Sequence, residues 1–104
     1  MKYMLLIYGN EEAFGSVGAE TFAEIVRETD ALNHELFESG ELVGAYGVAD
    51  QVNAKVVRVA RGTPVVTDGP YAEAKEYLGS FTIVDCDSLE RAVEIAARNP
   101  SARH

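Results

Sequence analysis

The chain of 104 residues holds one cysteine, Cys86, so no disulfide can form within it. A lone cysteine at the end of an apolar run reads as a small buried hydrophobe more readily than as a reactive thiol, and it fits a reducing compartment. Basic residues are scarce. Nine Lys and Arg stand against 17 Asp and Glu, a formal net charge of −8. Binding to nucleic acid draws its affinity from Lys and Arg that neutralise phosphates, so this balance argues against nucleic acid as a direct partner. Long apolar runs are absent too. In "MKYMLLIYGNEE" the apolar stretch is about six residues, too short for a signal-peptide core or a membrane span. The expectation is a cytoplasmic protein that does not enter the membrane. His34 and His104 lie far apart, and no Cys-x-x-Cys exists, so zinc-type spacing is missing. Glu11/Glu12 and Asp85/Asp87 are acid pairs without a ligand-loop pattern around them. No nucleophile elbow, phosphate loop or dinucleotide-binding glycine fingerprint is present. Neither a metal nor a cofactor is expected.

What is present reads as one folded domain over residues 1–104, with 47% hydrophobic and 25% charged residues. "KYMLLIYG" is apolar on both faces and predicts a central strand. After the polar loop "NEEAFGSVG" the period changes. Phe22, Ile25, Val26, Thr29, Leu32, Asn33, Leu36 and Phe37 recur at three and four residues, an amphipathic helix stripe. Thr21 with Glu24 has capping-box spacing, with an earlier start near Ser16 as the alternative, and Ser39-Gly40 supplies the stop. "ELVGAYGVA" predicts a second strand in which Gly44 and Gly47 mark a bulge or a close approach. "KVVRVAR" turns through Gly62 into "TPVVT", a hairpin, and "LGSFTIVD" is a strongly apolar strand. Asp87 with Glu90 repeats the capping-box spacing before a second helix whose inner stripe is Leu89, Val93 and Ala96, stopped by Pro100.

This alternation predicts an α+β sheet with both helices on one face and a hairpin added in the middle. The other face is then bare, and covering it calls for another copy of the chain, so a homodimer is expected from packing.

The least generic stretch is "VVTDGPYAEAKEYLGSF". Asp68 can bond its own downstream backbone, Gly69 can supply special dihedrals and Pro70 fixes the next one, which together make a turn. Tyr71, Glu73, Lys75, Glu76 and Tyr77 then crowd into seven residues, a density that fits either a solvated strip or a site. His34, beside the stripe of the first helix, reads as a boundary histidine or as a base oriented by Asp30 or Glu38.

"TDGPYAEAKEYLGSF" resembles the signature of the YCII-related family, in the bacterial branch named for its Asp-Gly-Pro-Phe motif. Asp68, Gly69 and Pro70 match and Tyr71 stands for the usual Phe; "MKYMLLIYG" and "AARNPSARH" are similar to the same family. The resemblance implies a ferredoxin-like domain that pairs through its sheets into a dimeric α/β barrel, with a cleft edged by Asp68, Gly69, Pro70 and Tyr71 and by Glu73, Lys75 and Glu76. It implies that relatives continue past "ARH" into a last strand that this chain lacks. Some relatives are small lyases with a His and an acid in the first helix. This chain has Thr29 where that His is expected. The branch is also associated with alternative sigma factors, which implies a partner linked to sigma-factor signalling.

Three readings follow. The first is a small-molecule-binding or sensory dimer built around Asp68, Tyr71, Glu73 and Lys75. The second is a small lyase or hydrolase with Asp68 or His34 as base and Lys75 or Tyr46 placing the substrate. The third is a structural interaction module. The acidic charge favours a neutral or cationic ligand unless Lys75 with Arg58 or Arg61 focuses a local positive field.

Overall fold

A computed structural model describes residues 1–9, 17–69 and 76–103. In chain order they form β1 (Lys2–Gly9), α1 (Ala19–Glu38), β2 (Leu42–Gly47), a 3-10 turn at Gln51–Asn53, β3 (Lys55–Ala60), β4 (Thr63–Asp68), β5 (Tyr77–Asp85), α2 (Leu89–Arg98) and a 3-10 turn at Pro100–Ala102. All strand pairs are antiparallel: β1-β5-β2 make one sheet and β3-β4 a separate ribbon. This α+β arrangement is compatible with a ferredoxin-like fold.

Apolar composition puts β1 at the centre of the sheet, and here the structure corrects the sequence. Among the described residues β1 pairs with β5 alone, and β5 takes the middle. Although β1 is apolar on both faces, its burial alternates strictly, with Tyr3, Leu5 and Ile7 turned to the helices and Met4, Leu6 and Tyr8 left in solvent. Between Ile7 and Tyr8 the register slips by one residue of β5: Ile7 faces Ser80, whereas Tyr8 faces Leu78, leaving Gly79 as the extra residue.

Both helices lie on one face. Leu32 and Leu36 of α1 and Ala92 and Ile95 of α2 enclose Val84 and Cys86, with Tyr3, Leu5 and Leu42 at the margin. Cys86 is therefore the buried hydrophobe that its setting predicts. The helix ends are less regular than their spacing implies. α1 starts at Ala19 with Gly18 as N-cap and no side-chain cap, so the Thr21/Glu24 pair falls inside the helix. Its end matches expectation: Gly40 has φ 81°, its N–H reaches the Phe37 carbonyl, and the Glu41 N–H reaches Leu36. In α2 the cap is Ser88 rather than Asp87, its hydroxyl accepting from the Arg91 N–H at 3.1 Å. The inner stripe is corrected as well, because Leu89 and Val93 are exposed while Ala92 and Ile95 face the sheet. Phe22, Val26 and Phe37 of α1 are likewise outside the core.

One ion pair locks the end of α1 to the start of α2. The Arg91 guanidinium donates to both carboxylate oxygens of Glu41 at 2.8 Å, and the Ser39 hydroxyl adds a third bond at 2.9 Å. The arginine first, and the serine second, lower the Glu41 pKa from 4.5 to about 2. The folded state favours the carboxylate, so the contribution is complete above about pH 4.5 and fades as pH falls towards 2. Glu41→Gln should accordingly be less stable than the wild type near neutrality, and urea midpoints of the two proteins should converge as the acid limit is approached.

The β3–β4 ribbon stands apart. Its two-residue turn, Arg61-Gly62, has φ of 51° and 80°, the type that matches the twist of a hairpin. Arg61 is the one non-glycine with positive φ among the described residues. The Cα radius of gyration is 16.4 Å with extents of 48 × 36 × 18 Å, against about 13 Å for a compact domain of this length. The ribbon is a projecting arm.

Candidate functional site

The motif enters the structure at the base of this arm. Asp68 ends β4 opposite Lys55, the first residue of β3. The Lys55 ammonium donates to the Asp68 carboxylate at 2.7 Å, and that hydrogen bond, reinforced by the lysine charge, holds the carboxyl below its ordinary pKa. The Asp68 side chain is 86% exposed. It therefore closes a strand pair.

Gly69 has a different physical role from the one its neighbours imply. It is not among the residues with positive φ. Its N–H donates to the Ala54 carbonyl at 2.8 Å. A Cβ built on it would lie 2.5 Å from the Ala54 Cβ and 2.7 Å from the Ala54 carbonyl carbon and oxygen. Glycine is required by a close approach of two backbones rather than by a special dihedral. Pro70, Tyr71, Glu73 and Lys75 lie outside the described residues, as do Glu11, Glu12 and His104. Glu76 is exposed immediately before β5.

Ala54 also walls an open groove of about 240 Å³, together with Val48, Ala49, Asp50, Gln51, Asn53 and Leu78. The Asp50 carboxylate accepts from the Val52 N–H at 3.0 Å, capping the 3-10 turn and setting the curve of the wall. Leu78 comes from the continuation of the motif. Because the slip at Gly79 sets it opposite Tyr8, it shares the side of the sheet that carries Met4 and Leu6. The groove thus opens at one end of the uncovered sheet face. A second groove, of about 220 Å³, lies between Leu5–Tyr8 of β1 and Ala96, Asn99, Ser101 and Ala102.

The remaining sequence candidates do not join this site. His34 is 74% exposed on α1, with Glu38 at 3.6 Å. Thr29, at the expected histidine position, returns its hydroxyl to the Ile25 carbonyl at 2.7 Å. Tyr46 lies on Phe81, ring centres 5.2 Å apart, and its ring passes over Gly44, where a Cβ would come within 2.8 Å of three ring and hydroxyl atoms. Gly44 is thus the close approach that the sequence anticipates, beside a bulge at Val43. The groove loop 48–54 is what sequence reasoning missed. Its signal was the Asp50 cap position, which by itself marks only a turn.

The profile of the YCII-related domain matches residues 1–104. The chain belongs to the YCII-related family. A family relative, an uncharacterized protein of Rhizobium meliloti (strain 1021), is 31% identical over 96 residues, covering 92% of this chain and 77% of the relative. For this YCII-related chain, no described helix is long and apolar enough to cross a membrane.

Proposed function

We propose that this YCII-related chain, in the Asp-Gly-Pro-Phe branch of its family, is a sensory or regulatory homodimer. Its ligand would be a small molecule lodged in the groove beside Gly69. One observation carries the reading: Gly69 is pressed against Ala54 with no space for a side chain, and Ala54 is itself a wall of the groove. The motif is thereby tied to a concave, mainly apolar surface with a few polar groups, the usual composition of a small-molecule site. Asp50 in its wall, in a chain of net charge −8, favours a neutral or cationic ligand. Dimerisation through the uncovered face is supported by Met4 (56% exposed), Tyr8 (53%) and Tyr46 (48%), all on that side of the sheet. A link to alternative sigma-factor signalling rests on the resemblance of the motif to its branch.

The lyase or hydrolase reading loses support. A base should sit in a closed cavity with its pKa raised towards working pH. Asp68 is solvated and its pKa is lowered by Lys55, and His34 lies on an open helix surface. The interaction-module reading keeps one specific support, the same uncovered apolar face.

The test is a thermal-shift screen of a metabolite library on the wild type and on Ala49→Leu, which fills the groove from an exposed position. A compound that raises the wild-type midpoint and not that of the variant supports the groove. Equal shifts in both proteins, or none in either, remove it.

A further inference from the structure

Resting on the dimer reading above, we propose that the β3–β4 hairpin is a docking arm, whose valine face packs on the acidic body of a second copy of this chain. A free two-stranded hairpin is marginal in water and needs packing to hold. This one is nevertheless built of strong strand formers, and its apolar side faces solvent. Val57 pairs with Val66 and Val59 with Pro64, so the four share one face, and Val59 is 70% exposed. The Gly69 N–H bond to the Ala54 carbonyl continues the β3–β4 ladder one step past Lys55 and Asp68 and closes the base of the arm.

Charge points to the occupant. The β3–β4 arm carries Lys55, Arg58 and Arg61 against one acid, Asp68, which is paired with Lys55; the rest of the chain has six basic residues against 16 acids. Arg58 lies on the other face, with Val56 and Val65, and Arg61 is at the tip. A basic finger on an acidic molecule is complementary to another copy of that molecule. Size points the same way. A standard interface takes about 800 Å² from each partner, and the valine face of the arm adds apolar surface to the side of the sheet that carries Met4, Leu6 and Tyr8. Because the Gly69–Ala54 contact stands at the base of the arm and Ala54 walls the groove, docking the arm would fix the groove as well.

Sedimentation equilibrium of the full chain, with circular dichroism as the fold control, tests this. The variant Val57→Thr/Val59→Thr/Val66→Thr keeps strand-forming residues on the arm while removing its apolar surface. The dimer Kd is expected to rise at least about tenfold, with an unchanged spectrum. Should that variant not fold, Arg58→Glu/Arg61→Glu, which alters two exposed charges, is expected to weaken the dimer by a similar factor and to abolish the rise of Kd with salt expected of the wild type. A dimeric wild type whose Kd neither folded variant changes overturns the arm and leaves the dimer standing. A wild type that stays monomeric overturns both.

Discussion

Leu36→Ala should cost about 3 kcal/mol of stability, the largest effect expected of any single change in this chain. In a domain of this size that lowers the midpoint of thermal unfolding by more than about 10 °C. Leu36 is 1% exposed and sits where α1, α2 and β5 converge, among Val84, Cys86, Ala92 and Ile95. Its carbonyl also accepts from the Glu41 N–H at 2.9 Å, which holds the backbone at the end of α1 around the site of the void. The next residue provides the contrast. Phe37 is larger and equally apolar, but it is 68% exposed, and Phe37→Ala should change stability by no more than about 0.5 kcal/mol. Urea unfolding of both variants decides the matter; equal losses would mean that Phe37 is covered in solution or that Leu36 is not at the centre of the core.

Gly69→Ala should destabilise the chain by about 1–3 kcal/mol, the usual range for forcing a methyl into a filled space. Gly69 is outside the positive-φ region that favours glycine, so the loss reports the contact with Ala54 rather than left-handed backbone strain. Two backbones must separate to admit the methyl, and they are the ones joined by the Gly69 N–H bond. Amide exchange at position 69 should therefore quicken together with the fall in stability. Gly47→Ala is the control, since nothing lies within 4 Å of a Cβ at that strand position; it should be neutral or slightly stabilising, because alanine gives up less conformational freedom. A Gly69→Ala protein as stable as the wild type would show that the two backbones are further apart in solution.

The sequence made local chemistry legible where one residue type has one use. Ser39-Gly40 announces the end of α1 because a left-handed residue after a helix is nearly always glycine. The start of α1 was hidden, since Gly18 caps without a side chain while Thr21 and Glu24 imitate a capping box from within. In α2 the apolar residues do not choose a single stripe: Leu89 and Val93 form one ridge, Ala92 and Ile95 another, and only packing on β5 selects the second. Centrality of β1 misled for a related reason, as an apolar surface awaiting a partner reads like one already buried. At the motif, residue types identified a turn and a site but not their geometry. The reason for Gly69 lies at Ala54, which faces it when the β3–β4 register is carried one step past Lys55 and Asp68, so it is legible only once the Arg61-Gly62 turn is placed.

Gly79 separates the chain into two phases. From Val84 back to Ser80 the side chains of β5 alternate in step with the helix-covered core, and from Leu78 backwards the count begins again one residue out of step. Changes of length before Leu78 therefore leave the inward and outward order of the core untouched, which frees the motif segment to vary. Deleting Gly79 would remove the bulge and leave Leu78 opposite Tyr8 on the same side; smoothing the strand with Gly79 kept would instead set Gly79 opposite Tyr8 and turn Leu78 towards the helices.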